Sequence, residues 1–501
     1  FKQKTAYEML RSLVGSEMCI RDRSTEPGAR AMNEILLFAT GLVIGLAMLR
    51  AYLVSRDALH PLMYLGPMLA YKLVLCPWVL FDSGTLEQFF PDMAQLDVVL
   101  FLNLLGVGMF CAGCMTGVRR ARGATVLSGD WHLTPGVRRR LYQVALVLGT
   151  IAFTTPTFLL INAGGIVGAF SRAKGGYGGP SGYLTEATLL SFPAIVLIAV
   201  ARRGQRLTGS DLLLLGALVF HHLLEGVLGT RRGPLFQVLA TLALAYCIWR
   251  FRRLEPTRLL GAVAAIGLTV IFMFAHRSEI YIGSDFEFEL DRVWRTAFPR
   301  EAHPGDDFVV ASATILVSRA ADHHYWGSRA LVTFLVRPIP KQLWPTKYED
   351  FGFGWMRTLP GSGGIPFEQW QATLGWRPYG GSATGFVADL FLEFSWGAIV
   401  AAYLFGYLFG ALWRRAARDK GLWIVLYLEI AALSIYVPTQ SVSAVLHRFL
   451  FMAVGSTIFW NAVVRPLTAQ IQGRRKTLSL PHAVPEAVGA ASPWSRPATD
   501  A

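Results

Sequence analysis

Eleven predominantly apolar runs punctuate the chain, at 34–55, 61–81, 96–118, 141–161, 185–201, 211–230, 234–250, 257–275, 385–411, 421–438 and 442–463. A helix needs about 20 such residues to cross a bilayer, so the pattern predicts an all-α polytopic membrane protein with about 11 transmembrane helices and one long external loop. Composition agrees, because 53% of the residues are hydrophobic and only 16% are charged, with a mean hydropathy of +0.41. A soluble chain with a single packed core is not built from so few charges. The net charge of +14 invites a nucleic-acid reading. The cations, however, sit in short clusters between apolar runs, where membrane topology puts them, so no nucleic-acid partner is expected.

Lys and Arg favour the cytoplasmic side of short loops. Arg119, Arg120, Arg122 and Arg138 to Arg140 mark one loop as cytoplasmic; Arg202, Arg203 and Arg206 mark the next, followed by Arg250, Arg252 and Arg253, and then by Arg414, Arg415 and Arg418. The intervening loops fall outside: the acidic one with Asp82, Glu87 and Asp92, the glycine-rich one at 162–184, the tight Arg231-Arg232 turn, and the long segment 276–384. The expected location is a bacterial inner membrane, with the N-terminus periplasmic and the C-terminus cytoplasmic.

Five regions follow. Residues 1–31 resemble translated sequencing-adapter read-through, with natural translation expected from Met32, and no signal-peptide pattern is present. Residues 32–275 hold the first eight helices, 276–384 the periplasmic loop, and 385–463 the last three helices. Residues 464–501, rich in Pro, Ala and Ser beyond Arg474, read as a disordered cytoplasmic tail. Cys76, Cys111, Cys114 and Cys247 lie inside apolar runs, which supports neither a disulfide framework nor a zinc site.

Long ordered loops usually carry function, and 276–384 is rich in Trp, Arg, His, Gly and Pro. Within it, 306–320 suggests an amphipathic helix on or in the outer leaflet, and 359–385 a Gly- and Pro-punctuated coil. The run Phe334-Leu-Val-Arg-Pro-Ile-Pro-Lys-Gln-Leu-Trp-Pro-Thr-Lys347, followed by Gly380-Gly-Ser-Ala-Thr-Gly385 and Glu393-Phe-Ser-Trp-Gly397, resembles the bacterial O-antigen and oligosaccharide repeat-unit polymerases. The resemblance covers about 270–410 in motifs and the other helices only in topology. It departs at Lys341, where many relatives carry Arg, and at 395–397. It implies a fold similar to the lipid-linked-sugar glycosyltransferases. It also implies transfer of a growing glycan from a polyprenyl diphosphate to another lipid-linked repeat unit. The implied partners are that substrate, membrane lipid, and a chain-length regulator and flippase of the same pathway.

Such chemistry needs cations for a diphosphate leaving group and a base for the attacking hydroxyl. Arg231 and Arg232, in Gly229-Thr-Arg-Arg-Gly-Pro234, break the positive-inside trend, and Arg suits bidentate phosphate recognition; snorkelling to headgroups is the alternative. Arg277 follows an apolar helix with the same logic. Arg337, Lys341 and Lys347 share a proline-stiffened stretch with Trp344, a sugar-stacking face or an interface anchor. Arg319 faces the same region if 306–320 is a surface helix, and His447-Arg448 completes a basic cavity or packs against Glu429 or Glu393. Base candidates are Glu279, Asp307, His323, His324 and Glu393, the last inside a helix where an ionised carboxylate is costly unless paired. His221 and His222 are placed near Glu225 by helical spacing, as a structural network. The glycines at 164–179 read as a gate or a mobile loop. No metal motif is seen, so a metal-independent enzyme without cofactor is expected. A flippase of lipid-linked sugars, a non-catalytic scaffold and a glycan ligase remain the rivals.

Overall fold

The computed structural model describes residues 27–128, 133–177, 184, 186–250, 253–339, 342–358, 363–379 and 384–466. All regular structure among the described residues is helical. The main elements are α1 (Pro27–Ser55), α2 (Pro61–Ser83), α3 (Gln95–Met115), α4 (Pro135–Asn162), α5 (Ala187–Ala201), α6 (Gly209–Leu228), α7 (Arg232–Arg250) and α8 (Pro256–Ala275). The segment 276–384 carries α9 (Leu290–Ala297), α10 (Asp307–Ala320), α11 (328–336) and α12 (Phe367–Leu374). The chain returns through α13 (Gly385–Phe394), α14 (Ala398–Arg418), α15 (Leu422–Thr439) and α16 (Val442–Val464).

Among the described residues, ten stretches are long and apolar enough to cross a membrane, and α5 is a shorter apolar helix. Each apolar run of the sequence is thus a helix, as a multi-pass membrane protein requires. Their outer surfaces are apolar in stripes at helical spacing. Leu42, Leu46, Leu49 and Leu53 on α1 are exposed, as are Leu450, Val454 and Ile458 on α16, as suits helices that face lipid. Helices α3 and α14 approach to backbone contact. A Cβ on Gly406 would lie 2.0 Å from the Phe110 carbonyl oxygen, and one on Gly410 2.5 Å from that of Cys114. The Gly406-x-x-x-Gly410 spacing is the small-residue pattern that lets membrane helices pack this tightly.

The run 385–411 is not one straight span. It breaks between α13 and α14, where Ser395 adopts φ 52°. The carbonyls orphaned at the end of α13 are met by the loop before α11: the amides of Tyr325 and Trp326 donate to Leu392 and Glu393, and His324 Nδ1 lies 3.0 Å from the Phe391 oxygen. Arg329 enters beneath this loop and donates to both Asp389 and Glu393, while Asp389 Oδ2 accepts from the Val442 amide at the start of α16. The carbonyls of Phe391, Leu392 and Glu393 at the break are thus capped, as the end of a buried helix requires.

Two expectations for the external segment are corrected. Helix α10 is not a surface helix, since every residue from Phe308 to Ser318 is buried; its small residues, Ala311, Ser312, Ala313 and Thr314, let it pack on all sides. The stretch 359–385 is not all coil, because α12 forms within it with Trp370 and Leu374 buried. Helix α1 begins ahead of Met32. Residues 1–26, Lys341 and the tail from 467 lie outside the described residues.

Candidate functional site

The basic loops of the sequence assemble on one face of the helix bundle. Arg138 donates to the carbonyls of Ala201 and Arg203, Arg414 to Thr116, and Lys420 to Thr125 and Val126. At the opposite face, the ends of α5, α6, α7, α8, α15 and α16 converge with α10 and the end of α11, and there a second set of charges is gathered.

The Gly229-Thr-Arg-Arg-Gly-Pro234 turn is built for close approach. Thr230 takes φ 47°, with its hydroxyl donating to the Arg277 carbonyl at 3.2 Å. A Cβ on Gly233 would lie 2.1 Å from the Tyr436 hydroxyl, so only glycine lets α7 start against α15. The turn presents Arg231, half-exposed and 3.6 Å from Glu225, and Arg232, which grips Asp307 through both amino groups at 3.2 and 3.3 Å. Lys72 reaches the same carboxylate at 2.8 Å. Burial alone would raise the Asp307 pKa, but the adjacent Lys72 and Arg232 hold it down to about 2. Arg277 shares the Phe274 ring with Arg232, and burial, with Arg232 alongside, pulls its guanidinium below its ordinary value.

A second half lies beyond Tyr436. Glu186, at the entrance to α5, accepts from Arg337 at 2.8 Å and lies 3.7 Å from His447 Nε2. Burial pushes its pKa up, but His447, Arg337 and Arg448 outweigh that and leave it below the ordinary value. Arg448 stacks over the Tyr436 ring at 4.5 Å, and the Tyr436 hydroxyl donates to Gln237 Oε1 at 3.3 Å. Among the described residues, six cations, Lys72, Arg231, Arg232, Arg277, Arg337 and Arg448, thus meet four carboxylates, Asp307, Glu225, Glu186 and Asp306, the last beside Lys72 and Asp307. The surplus of positive charge at accessible side chains is a place for a multiply charged anion.

Three of these residues are aimed by π-helical turns, which insert an extra residue and recur at functional sites. Lys72 lies in the turn Tyr71–Leu75, just ahead of Pro77; Glu225 lies in Leu224–Leu228, which ends at Gly229; Arg337 follows Val332–Val336 and precedes Pro338. Proline removes a donor and glycine relaxes the backbone, so the local sequence favours the widened turn.

The structure therefore brings together Arg231, Arg232, Arg277, Asp307, Arg337, His447 and Arg448 from the sequence expectations. It places others elsewhere. Glu393 has both oxygens engaged, one by Arg329 at 2.6 Å and one by the Gly327 amide at 3.1 Å. Glu279 pairs with Arg292, and His324 is held against Phe391 and Ser318. The Lys347 ammonium is buried and donates to the carbonyls of Val336, Arg337 and Ile339, which closes the proline-rich turn. Trp344 donates to Asp350 at 2.6 Å on an exposed surface, and Arg319 is exposed at the end of α10.

His447 faces Glu186, not Glu429 or Glu393, and Glu429 bonds instead to Ser456. His221 and His222 turn away from Glu225, toward Thr157 and Tyr177 and toward Ser191 and Thr188 respectively. Of the glycine-rich loop, Ala169, Phe170 and Gly175 to Tyr177 are packed while most of 162–168 and all of 171–174 are exposed: Tyr177 is buried, 2.8 Å from His221 Nδ1, and a Cβ on Gly176 would lie 2.6 Å from the Arg231 guanidinium. Sequence reasoning missed Glu186 and Tyr436. Among the described residues no cluster of three His, Cys, Asp or Glu side chains is arranged to hold a metal ion. No family model, curated protein or solved structure matches the chain.

Proposed function

We propose that this protein is a membrane glycosyltransferase that polymerises polyprenyl-diphosphate-linked oligosaccharide repeat units at the periplasmic face of a bacterial inner membrane. The observation that carries the reading is the excess of cations over carboxylates where helix ends converge opposite the basic face. The motif resemblance at 334–347 and 380–397 supplies the substrate class, and Arg337 belongs to both.

In the reaction, a sugar hydroxyl of one lipid-linked unit attacks the anomeric carbon of the other. A new glycosidic C–O bond forms, the bond from the anomeric carbon to the diphosphate oxygen breaks, and polyprenyl diphosphate leaves with the bonding pair. Arg231, Arg232, Arg277 and Arg448 stabilise the charge that develops on the leaving group. The hydroxyl proton needs a base. Asp307, held near 2 by its two cations, is too weak, and Glu279, His324 and Glu393 are engaged elsewhere. His447 fits best, because its imidazole lies 3.7 Å from Glu186, which would stabilise the imidazolium formed.

The rival flippase reading draws on the break between α13 and α14, since transporters use discontinuous helices. Here the break is closed by the 324–327 loop and Arg329, which favours a rigid enzyme. The test is reconstitution with a polyprenyl-diphosphate oligosaccharide, read as a ladder on a gel. Arg232→Ala, Arg337→Ala and Arg448→Ala should each lower ladder formation by on the order of 10²-fold at unchanged protein abundance. Normal ladders from all three would overturn the reading, and transbilayer movement of the substrate without a ladder would favour the flippase.

A further inference from the structure

Between α8 and α10 the chain reads Asp285-Phe-Glu-Phe-Glu-Leu-Asp-Arg-Val-Trp-Arg-Thr-Ala-Phe298. Residues 285–289 form no regular element, Glu289 is extended and α9 follows at Leu290, and Phe286 and Phe288 lie on one side, both against the Phe272 and His276 rings. In an extended chain alternate residues share a side, so Phe286, Phe288 and Leu290 form one row and Asp285, Glu287, Glu289 and Asp291 the other. In the helix the apolar side continues through Val293, Trp294 and Ala297, at spacings of three and four. The period changes from two to helical at Leu290 and the apolar edge is unbroken.

Every residue from Asp285 to Asp291 is exposed, and so is Trp294. Leu290 is 68% exposed, Trp294 64% and Phe288 63%. The protein covers Ala297 and one side of Phe286 and Phe288, and leaves most of Phe288, Leu290 and Trp294 bare. The edge is nonetheless continuous with a surface that faces lipid: Phe286 and Phe288 pack on Phe272 in the last turn of α8, 6.3 and 5.8 Å between ring centroids. On that helix Leu268 and Phe274 are themselves exposed. The opposite side is polar and pinned by the Arg292–Glu279 ion pair. At its far end the strap is tied to α2, where the Tyr71 hydroxyl donates to the Ala297 carbonyl at 2.6 Å, one residue from Lys72.

We propose that 285–297 is an interfacial strap, whose Phe286, Phe288, Leu290 and Trp294 edge is embedded in the lipid leaflet next to the cation cluster. The acidic row points to water, so the strap binds the interface by apolar burial and not by attraction to anionic headgroups. It borders the cluster from Arg277 to Lys72 and holds the bilayer surface level with it. The inference stands independently of the glycan reading.

The test is nitroxide scanning of the full chain in phospholipid nanodiscs, with single cysteines at Phe288, Leu290 and Trp294 and, on the other side, at Glu287 and Asp291. The unsubstituted chain, labelled in parallel, provides the blank. Accessibility to dissolved oxygen against a water-soluble nickel chelate should place the labels at 288, 290 and 294 about 5–10 Å into the headgroup and acyl boundary, and those at 287 and 291 in water. Both rows accessible to the nickel chelate would overturn the proposal, because the strap would then stand in solvent. Both rows shielded from both agents would equally overturn it, in favour of cover by a second protein surface.

Discussion

Asp307 is the anion on which two cations of the cluster rely, and replacing it with Asn has a calculable effect. Its pKa falls from the ordinary 3.8 to about 2 because Lys72 and Arg232 flank it. At about 1.4 kcal/mol per tenfold change in proton affinity, that corresponds to roughly 2–3 kcal/mol of folded-state stability. A carboxylate with a depressed pKa contributes fully above the unfolded value near 4, and the contribution is lost as pH falls from about 4 through about 2. Asp307→Asn should therefore unfold more easily than the parent at neutral pH, by roughly 2–3 kcal/mol, with somewhat more if Lys72 and Arg232 stay buried without a partner. The assay is unfolding of the purified protein in mild detergent, followed by tryptophan emission at a series of pH values. The gap between parent and Asn variant should be constant from pH 7 to 5 and close below pH 4. A variant as stable as the parent at pH 7, or a gap that persists at pH 2, would refute the reasoning.

Two further outcomes follow from packing and from the capped break. Gly406→Ala places a Cβ 2.0 Å from a backbone oxygen of α3, so α3 and α14 must separate at a cost of about 1–3 kcal/mol, visible as a lowered thermal midpoint and refuted by an unchanged one. Glu393→Gln removes one of the two carboxylates that clamp Arg329; it should lower the thermal midpoint while ladder formation by the surviving folded protein continues, whereas a fully stable but inactive variant would return Glu393 to the role of base.

The membrane helices were legible because a run of about 20 apolar residues has few other uses. Arg231, Arg232 and Arg277 were legible for the opposite reason, being cations where topology disfavours them. The partners of these cations were not, because Asp307, Glu186 and Tyr436 meet them only through convergence of helix ends far apart in sequence. Glu393 illustrates the same limit: its position inside a helix marked it as costly unless paired, but nothing local identified Arg329 as the partner. Helix α10 misled because its alternation of small and large residues matches a surface helix as well as one packed on every side. The strap at 285–297 was hidden by its change of period, since neither the strand nor the helix template fits its whole length.

The capped break between α13 and α14 has a consequence for how the external segment is made. The amides of 325–327 terminate a helix that enters the bundle, and Arg329 discharges its guanidinium on that same helix. Residues 276–384 are therefore no detachable ectodomain. Expressed alone, the segment would carry an uncompensated arginine and lose the carbonyls its loop was shaped to meet. During biosynthesis its middle can mature only after α13 has emerged, so the segment between the two groups of long apolar helices must wait for the helices that follow it.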